Sequence, residues 1–215
     1  MPTPTTTFTF NTLQVQLCVP NKQLLYNSYH QQTQYHLFAT NNYTNFPYWA
    51  KVWHSAIALS KFIAANPTLF HQKNVLELAA GLGLPSIVAA QYAKQVLCTD
   101  YVSEALQYIQ QSVTINGLTN CTTAVLNWNN INGTIPTNIL LMSDVNYDST
   151  QFDMLYNIFQ QFLAEGSTIL LATPQRLMAK PFVEKLLPFC VNNVEYEIDY
   201  DDEISFVNVL VLQGK

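Results

Sequence analysis

The chain has 215 residues, enough for one domain with a large hydrophobic core and too few for two domains of ordinary size. Hydrophobic residues make up 49% of the sequence, charged residues only 11%, and the formal net charge is −5. Lys and Arg together number nine, and Arg176 is the single arginine, so the sequence lacks the basic surface that binding to nucleic-acid phosphates requires. We therefore expect no nucleic-acid partner.

Neither the cysteines nor the histidines are spaced as metal ligands. The cysteines, at positions 18, 98, 121 and 190, show no Cys-x-x-Cys spacing and are interpreted as buried free thiols. The histidines, at positions 30, 36, 54 and 71, lack the i, i+4 spacing of a helical metal site, so no metal is predicted. No apolar stretch approaches the length that spans a bilayer, and residues 1–10 lack the pattern of a secretory signal. The sequence therefore predicts a cytoplasmic protein without membrane association.

Residues 1–45 are predicted to form a short N-terminal β-hairpin extension of a main domain that spans residues 46–215. Apolar and polar side chains alternate loosely here, as in Leu13–Leu17, and Pro20-Asn21 is a turn signal before the apolar run Leu24–Tyr26. A polar loop over residues 41–46 is expected to follow, and then a helix that ends before Asn66-Pro67.

Strand-like and helix-like segments alternate through the rest of the main domain. Strands are predicted at residues 74–78, 95–99, 123–126, 139–142 and 167–172, and helices at 84–93, 103–115, 152–162 and 180–187. Two further strand-like segments, 191–198 and 204–212, are predicted to form a terminal antiparallel hairpin joined by residues 199–203. This alternation predicts an α/β protein with a parallel sheet, helices on both faces and ligands bound at the carboxyl ends of the strands.

The most informative segment is Asn74–Pro85, a buried strand that runs into a glycine turn and then a helix. Glycine lets the backbone approach a ligand where a Cβ atom would collide. The next predicted strand ends in Asp100, and an acid at that place can accept hydrogen bonds from both hydroxyls of a ribose. The pairing predicts a site for a cofactor that contains a nucleoside.

These segments resemble the class I S-adenosylmethionine-dependent methyltransferases, and the resemblance covers roughly residues 45–212. Glu77–Gly83 is similar to the glycine-rich first motif of that family, and Asp100 to its ribose-binding acid. The resemblance implies an α/β fold of the Rossmann-like type: a three-layer sandwich with a mostly parallel seven-stranded sheet and an antiparallel C-terminal hairpin, to which the N-terminal β-hairpin is appended.

Further motifs are similar to those of the lysine-methyltransferase-like branch of the family. Val52-Trp53 and the residues after it resemble the tryptophan-bearing helix that precedes the first motif, and Leu126–Trp128 resembles the segment that flanks the adenine. Ser143–Asp148 resembles the DxxY motif after the fourth strand. Two positions depart from the family pattern, because Ala79 stands where glycine is usual and Asn127 where an acid is common.

The resemblance implies S-adenosylmethionine as the cofactor and N-methylation of a protein lysine as the reaction. The residues it assigns to cofactor binding are Trp53, Glu77, Ala79, Gly81, Gly83, Asp100, Tyr101, Asn127, Trp128 and Ser143. It assigns catalysis to Asp144 and Tyr147, with Asp144 orienting the incoming amine and Tyr147 forming a wall of its channel. Alternatively, Asp144 caps the following turn, Tyr147 packs against its neighbours, and Glu77 has a purely structural role.

Other functions remain open on the sequence alone. The acceptor is either a protein with an accessible lysine or a small molecule, and the fold could also serve as a non-catalytic binding module. A nicotinamide-dependent oxidoreductase is disfavoured because Ser86 stands where its fingerprint requires glycine or alanine. Arg176 follows the fifth strand and is predicted to pair with a nearby acid. The sequence is compatible with a monomer or a dimer.

Overall fold

The computed structural model describes residues 3–21, 47–131 and 135–214. The predicted strand at Leu24–Tyr26, the predicted polar loop at residues 41–46 and the predicted boundary between residues 45 and 46 lie outside the described residues, as do the histidines at positions 30 and 36.

An N-terminal hairpin is present. Strand β1 (Thr5–Phe10) pairs antiparallel with strand β2 (Leu13–Cys18), and Asn11-Thr12 forms its turn. The predicted turn at Pro20-Asn21 leads into the predicted strand at Leu24–Tyr26, which lies outside the described residues, so that turn stays a prediction. Asn11 adopts a φ of 54°, a left-handed conformation that Asn tolerates better than most residues. Alternate side chains of both strands are buried against the main core, so the hairpin packs on the sheet domain.

The rest of the described chain alternates between helices and strands. In chain order the elements are α1 (His54–Ala65), α2 (Pro67–Phe70), β3 (Asn74–Glu77), α3 (Leu84–Ala89), β4 (Gln95–Asp100), α4 (Ser103–Ile115), β5 (Cys121–Val125), β6 (Ile139–Ser143), α5 (Phe152–Ala164), β7 (Thr168–Pro174), α6 (Lys180–Leu186), β8 (Cys190–Tyr200) and β9 (Glu203–Leu212). The seven strands β3 to β9 form one sheet in the order β5-β4-β3-β6-β7-β9-β8. Strands β3 to β7 are parallel, and β9 is antiparallel to both β7 and β8. The predicted fold class is confirmed.

Helices cover both faces of the sheet because its central strands carry apolar side chains on both sides. Leu141 and Leu170 belong to the hydrophobic cluster that also contains side chains of α1, α3 and α4. Leu140 and Leu171, their neighbours along the strands, belong to the cluster that contains side chains of α5 and α6. Successive residues of a strand point to opposite faces, so a continuous apolar run is the pattern expected of a strand buried on both sides.

The end of α3 and the turn of the final hairpin differ most from the prediction. Helix α3 ends four residues earlier than expected, because the amides of Gln91 and Tyr92 bond to carbonyls three residues back and form a turn. The connection between β8 and β9 is only two residues long. Asp201 and Asp202 have φ values of 59° and 62°, as a two-residue type I′ turn requires, so the strands continue into the segment predicted as a loop.

The turn between β3 and α3 contains three left-handed residues. Ala79, Gly81 and Gly83 have φ values of 52°, 56° and 74°. A Cβ atom added to Gly83 would lie 3.0 Å from Cys98 Sγ, and one added to Gly81 would lie 3.3 Å from the carbonyl oxygen of Trp49. Both glycines are therefore required by backbone conformation and by close packing against the protein itself, in addition to the ligand approach that the sequence suggested.

Glu77, the last residue of β3, anchors the start of α3 from inside the core. Its Oε2 accepts hydrogen bonds from the backbone amide of Ser86 at 3.0 Å and from the Ser86 hydroxyl, while Oε1 is buried without a partner among the described residues. Burial raises the pKa of Glu77 from 4.5 to about 8, although the hydrogen bonds from Ser86 oppose the shift. The carboxyl group is therefore mostly protonated at neutral pH in the folded protein.

This pKa shift predicts a pH-dependent stability. Because the pKa is higher in the folded than in the unfolded protein, the contribution of Glu77 is complete below about pH 4.5 and is lost as the pH rises through about 8. We expect the free energy of unfolding to fall by up to about 1.4 kcal/mol per pH unit in this window. Glu77→Gln, which cannot ionise, should flatten the curve in urea titrations at pH 5 to 8. Exposed Glu104→Gln is the matched control, and an unaltered curve for Glu77→Gln would contradict the assignment.

Candidate functional site

A cleft of about 310 Å³ opens at the carboxyl ends of β3, β4 and β6, where the fold is expected to bind ligands. Its volume lies at the lower end of the range for small-molecule sites. The predicted site residues that line it are Trp53, Ala79, Gly81, Gly83, Asp100, Tyr101, Asn127, Trp128, Ser143, Asp144 and Tyr147. The structure thus brings together residues from five separate segments of the sequence. Glu77 is the predicted site residue that does not line the cleft, because its carboxyl group lies behind the turn on Ser86.

Asp100 connects two loops at the base of the cleft. Its Oδ2 accepts from the backbone amide of Gly81 at 2.8 Å, and its Oδ1 accepts from the amide of Val102 at 2.9 Å. Burial raises the pKa of this carboxyl group, and the hydrogen bonds from backbone amides oppose the increase. Each carboxylate oxygen has a second lone pair, so Asp100 can hold the glycine turn and still accept from a ligand hydroxyl in the cleft.

Aromatic side chains form one wall of the cleft. The Trp53 indole donates to the carbonyl oxygen of Tyr48 at 3.0 Å, and the ring of Tyr48 lies 6.1 Å from that of Tyr147. Lys51 Nζ lies 5.3 Å from the Trp53 ring centre and 3.5 Å from Glu203. The sequence analysis did not assign Tyr48 or Lys51 to the site. The aromatic run that begins at Tyr48 was the feature of the sequence that could have indicated an aromatic wall here.

Asn127 and Trp128 occupy the edge of the cleft beyond β5. The Asn127 side chain accepts from the amide of Asn129 at 2.9 Å and caps a short 3₁₀ helix, Trp128–Asn130. Trp128 is half-buried and packs partly against the cluster beneath α5. The protein thus packs against part of the Trp128 side chain, and the same residue lines the cleft.

Asp144 lies just beyond β6, at the opposite side of the cleft from Asp100. Its backbone has a φ of 58°, and its amide donates to the carbonyl of Ala172 on β7 at 3.0 Å. Its carboxylate forms an ion pair with Arg176, which confirms that Arg176 pairs with a nearby acid. Tyr147 is half-exposed, and burial of its hydroxyl raises its pKa further above 10, so the phenol is neutral.

The cysteines outside the cleft are free thiols, and three of them are buried, whereas Cys190 is half-buried. Burial raises the pKa of Cys98 well above its usual value and that of Cys121 to about 12, so both remain protonated and unreactive.

Within residues 3–21, 47–131 and 135–214, no group of three His, Cys, Asp or Glu side chains is placed to hold a metal ion. Nor does any helix in these ranges have the length and apolar character needed to cross a membrane.

The sequence matches known methyltransferases. The model of the family described as lysine methyltransferase matches residues 32–188. EEF1A lysine methyltransferase 3 of Mus musculus is 30% identical over 166 residues, which are 74% of this chain and 70% of that protein. Protein N-lysine methyltransferase METTL21A of Xenopus tropicalis is 29% identical over 72% of this chain and 75% of that protein. Methyltransferase-like protein 22 of Mus musculus is 44% identical over 66 residues, so the match spans only 17% of its length.

Solved structures share the fold at low sequence identity. The N-methyltransferase NodS of Bradyrhizobium japonicum, determined in complex with S-adenosyl-L-homocysteine, superposes with a TM-score of 0.56 at 15% identity, over 84% of this chain and 97% of NodS. A ribosomal protein L11 methylase of Lactobacillus delbrueckii superposes with a TM-score of 0.57 at 12% identity, over 77% and 81% of the two chains. The family match covers most of the sequence, and the fold is that of these enzymes. The chain therefore belongs to the lysine methyltransferase family, a branch of the class I S-adenosylmethionine-dependent methyltransferases.

Proposed function

We propose that this chain transfers the methyl group of S-adenosylmethionine to the side-chain nitrogen of a lysine in a protein. The observation that carries the proposal is the cleft itself, in which the glycine turn and Asp100 meet Asp144 and Tyr147 across one opening. Family membership and relatives named as lysine methyltransferases support the same activity.

The residues at the base of the cleft fit this cofactor. Asp100 presents a carboxylate that would accept hydrogen bonds from ribose hydroxyls, and the exposed Tyr101 beside it would flank the sugar. Trp128 offers a partly supported ring against which adenine would stack, and the Asn127 side chain would provide a donor and an acceptor for the purine edge. Glu77 contributes indirectly, since it holds the first turn of α3 and with it the end of the glycine turn.

In the proposed reaction the protein positions the reacting groups and does not itself supply a covalent nucleophile. The bound cofactor supplies a methyl carbon that is activated by an adjacent sulfonium. The lysine would have to reach this carbon as the neutral amine, so its ammonium group would first lose a proton to water. Tyr48, Trp53 and Tyr147 would form the wall beside the reacting groups, and Asp144 would accept a hydrogen bond from the amine and orient its lone pair.

A small-molecule acceptor and a non-catalytic binding role are the alternatives. The cleft opens to solvent beside Tyr147 and Tyr101, both more than half exposed, which favours access of a long side chain presented by a protein surface. Incubation with tritiated S-adenosylmethionine and a cell lysate should place the label in the macromolecular fraction. Label confined to the small-molecule fraction would select the first alternative. Calorimetric binding of the cofactor without any transfer would select the second.

The cellular setting and the assembly are also proposals. Free cysteines, three of them buried, suit a reducing compartment, which supports a cytoplasmic protein. The proposed division into residues 1–45 and 46–215 treats the N-terminal hairpin as an extension of one catalytic domain, and the packing of the hairpin on the sheet domain supports it. A monomer or a dimer both remain compatible with the cleft, because it is built from one chain.

Replacement of Asp144 tests its role in orienting the amine. Asp144→Asn keeps the size of the side chain, and Asn tolerates the left-handed backbone at this position, whereas Ala would add strain. We expect the rate of methyl transfer to fall on the order of 100-fold while the dissociation constant of S-adenosylhomocysteine changes less than twofold. Asp153→Asn is the control, because that side chain is exposed on α5 and lies outside the cleft. Full activity of Asp144→Asn would refute the assignment.

Ala79 is the second test, because it is an L-residue with a methyl group in a left-handed turn. Such a conformation costs roughly 1 to 2 kcal/mol for a residue other than glycine. Ala79→Gly should therefore increase the free energy of unfolding by about 0.5 kcal/mol after the greater chain entropy of glycine is subtracted, and should tighten cofactor binding. Ala80 does not share the positive φ, so Ala80→Gly should destabilise the protein. Thermal unfolding and calorimetry distinguish these outcomes, and a loss of stability in Ala79→Gly would contradict the argument.

A further inference from the structure

The ion pair between Asp144 and Arg176 joins the loops that follow two neighbouring strands. The side chain of Asp144 is 10% exposed and that of Arg176 is 30% exposed. Arg176 Nη1 donates to Asp144 Oδ1, and in the part of the chain that the structure describes no donor takes Asp144 Oδ2. Asp144 lines the cleft and Arg176 does not, so the guanidinium approaches the carboxylate from outside and leaves one oxygen for the cleft.

The backbone around this pair is fixed by buried hydrogen bonds. The amide of Asp144 donates to Ala172 O, and two residues further on Asn146 Nδ2 donates to Thr173 Oγ1 at 2.8 Å. Asn146 is fully buried and Thr173 nearly so. Arg176 follows directly in the second loop, where its amide donates to Pro174 O at 2.8 Å. Buried hydrogen bonds thus fix the backbone that carries the two charged side chains, so their ion pair is not a mobile surface contact.

The charge of this pair matters for the acceptor amine. A lone carboxylate within about 4 to 6 Å stabilises the charged form of a neighbouring amine, which would retain the proton that must leave before methyl transfer. A guanidinium on the far side of the same carboxylate reduces this effect, because the pair has no net charge. The carboxylate oxygen nevertheless remains a hydrogen-bond acceptor, so orientation of the amine is preserved.

We propose, on the basis of the function proposed above, that Arg176 is a positioning residue which holds Asp144 through Oδ1 and offsets its charge, so that the acceptor lysine is oriented by Oδ2 without being kept protonated.

Other charged and titratable side chains face the same space and do not replace Arg176. They are Tyr48, Lys51, Asp100, Tyr101, Tyr147 and Asp148. Lys51 is paired with Glu203 and Asp201 of the final hairpin, and Asp148 accepts from the amide and hydroxyl of Thr150. The hydroxyls of Tyr101 and Tyr147 have pKa values raised by burial and are neutral. Arg176 is therefore the cation in direct contact with Asp144.

The proposal is tested by the pH dependence of methyl transfer in the full chain. Arg176→Met should shift the midpoint of the rise in initial rate upward by about one pH unit, because the lone Asp144 carboxylate then stabilises the ammonium form of the acceptor. Tritiated S-adenosylmethionine and the protein fraction of a cell lysate serve as substrates between pH 6 and 10. Arg176→Lys should restore the wild-type midpoint, and Lys180→Met, an exposed cation on α6, should leave it unchanged. An unshifted midpoint in Arg176→Met would overturn the proposal.

A second measurement does not depend on turnover. The protein saturated with S-adenosylhomocysteine is titrated with n-butylamine, a mimic of the lysine side chain, at pH 7 and followed by NMR. Arg176→Met should bind the charged amine several-fold more tightly than the wild type, because the attraction of the carboxylate is no longer offset. Equal or weaker binding would overturn the proposal. A wild type that transfers no methyl group would reject the proposed function, whereas this titration would still decide the role of Arg176.

Discussion

The site depends on the backbone of one short turn, in which Ala79, Gly81 and Gly83 adopt left-handed conformations. Such a turn is stable only if its neighbours hold it, and here the supports come from the end of β4 and from Glu77 on β3. The amide of Ala80 donates to Thr99 O on β4, and that of Gly81 donates to the Asp100 carboxylate. Glu77 holds the first turn of α3 from below. The acid interpreted as a ligand for ribose is therefore also a structural part of the turn.

This double role explains why the turn and the end of β4 act as one unit. A change at Asp100 removes an acceptor for Gly81 and Val102 as well as a group in the cleft. Loss of activity in such a variant would not separate binding from folding. Asp144 differs in this respect, because its backbone is fixed by Ala172 and its side chain contacts Arg176 without supporting the glycine turn. A substitution on the acceptor side of the cleft therefore distinguishes an effect on methyl transfer from an effect on folding stability better than a substitution at Asp100 does.

The succession of strands and helices was accessible from the sequence because it follows from apolar periodicity and from glycine, which are local properties. The residues that line the cleft were accessible for a related reason, since parallel strands bring their carboxyl ends to one edge of the sheet. The sequence did not show in which direction each side chain points. Glu77 was placed in the right strand, but whether its carboxyl group faced the cleft or the core depended on Ser86, nine residues later.

The sequence also did not show which distant segments of the chain contact one another. Arg176 was expected to meet an acid, yet its partner lies 32 residues earlier and is defined only by the adjacency of β6 and β7. Tyr48 and Lys51 line the cleft because the segment before α1 lies beside the carboxyl ends of the strands. The aromatic run that begins at Tyr48 is visible in the sequence, but its place beside those strands is not. The turn at Asn11 was not predicted, because a lone Asn is a weaker turn signal than a Pro-Asn pair, although Asn11 supplies the left-handed backbone that this turn needs.

The order of strands at the end of the sheet has a consequence for synthesis of the chain. Strand β9 lies between β7 and β8, although it is made after both. While the polypeptide leaves the ribosome, β8 emerges without the partner to which it will pair, and the edge of β7 stays open until the final strand arrives. Closure of this side of the sheet therefore requires β9 to emerge, and until then the nascent protein exposes two strand edges that other chains or chaperones can bind.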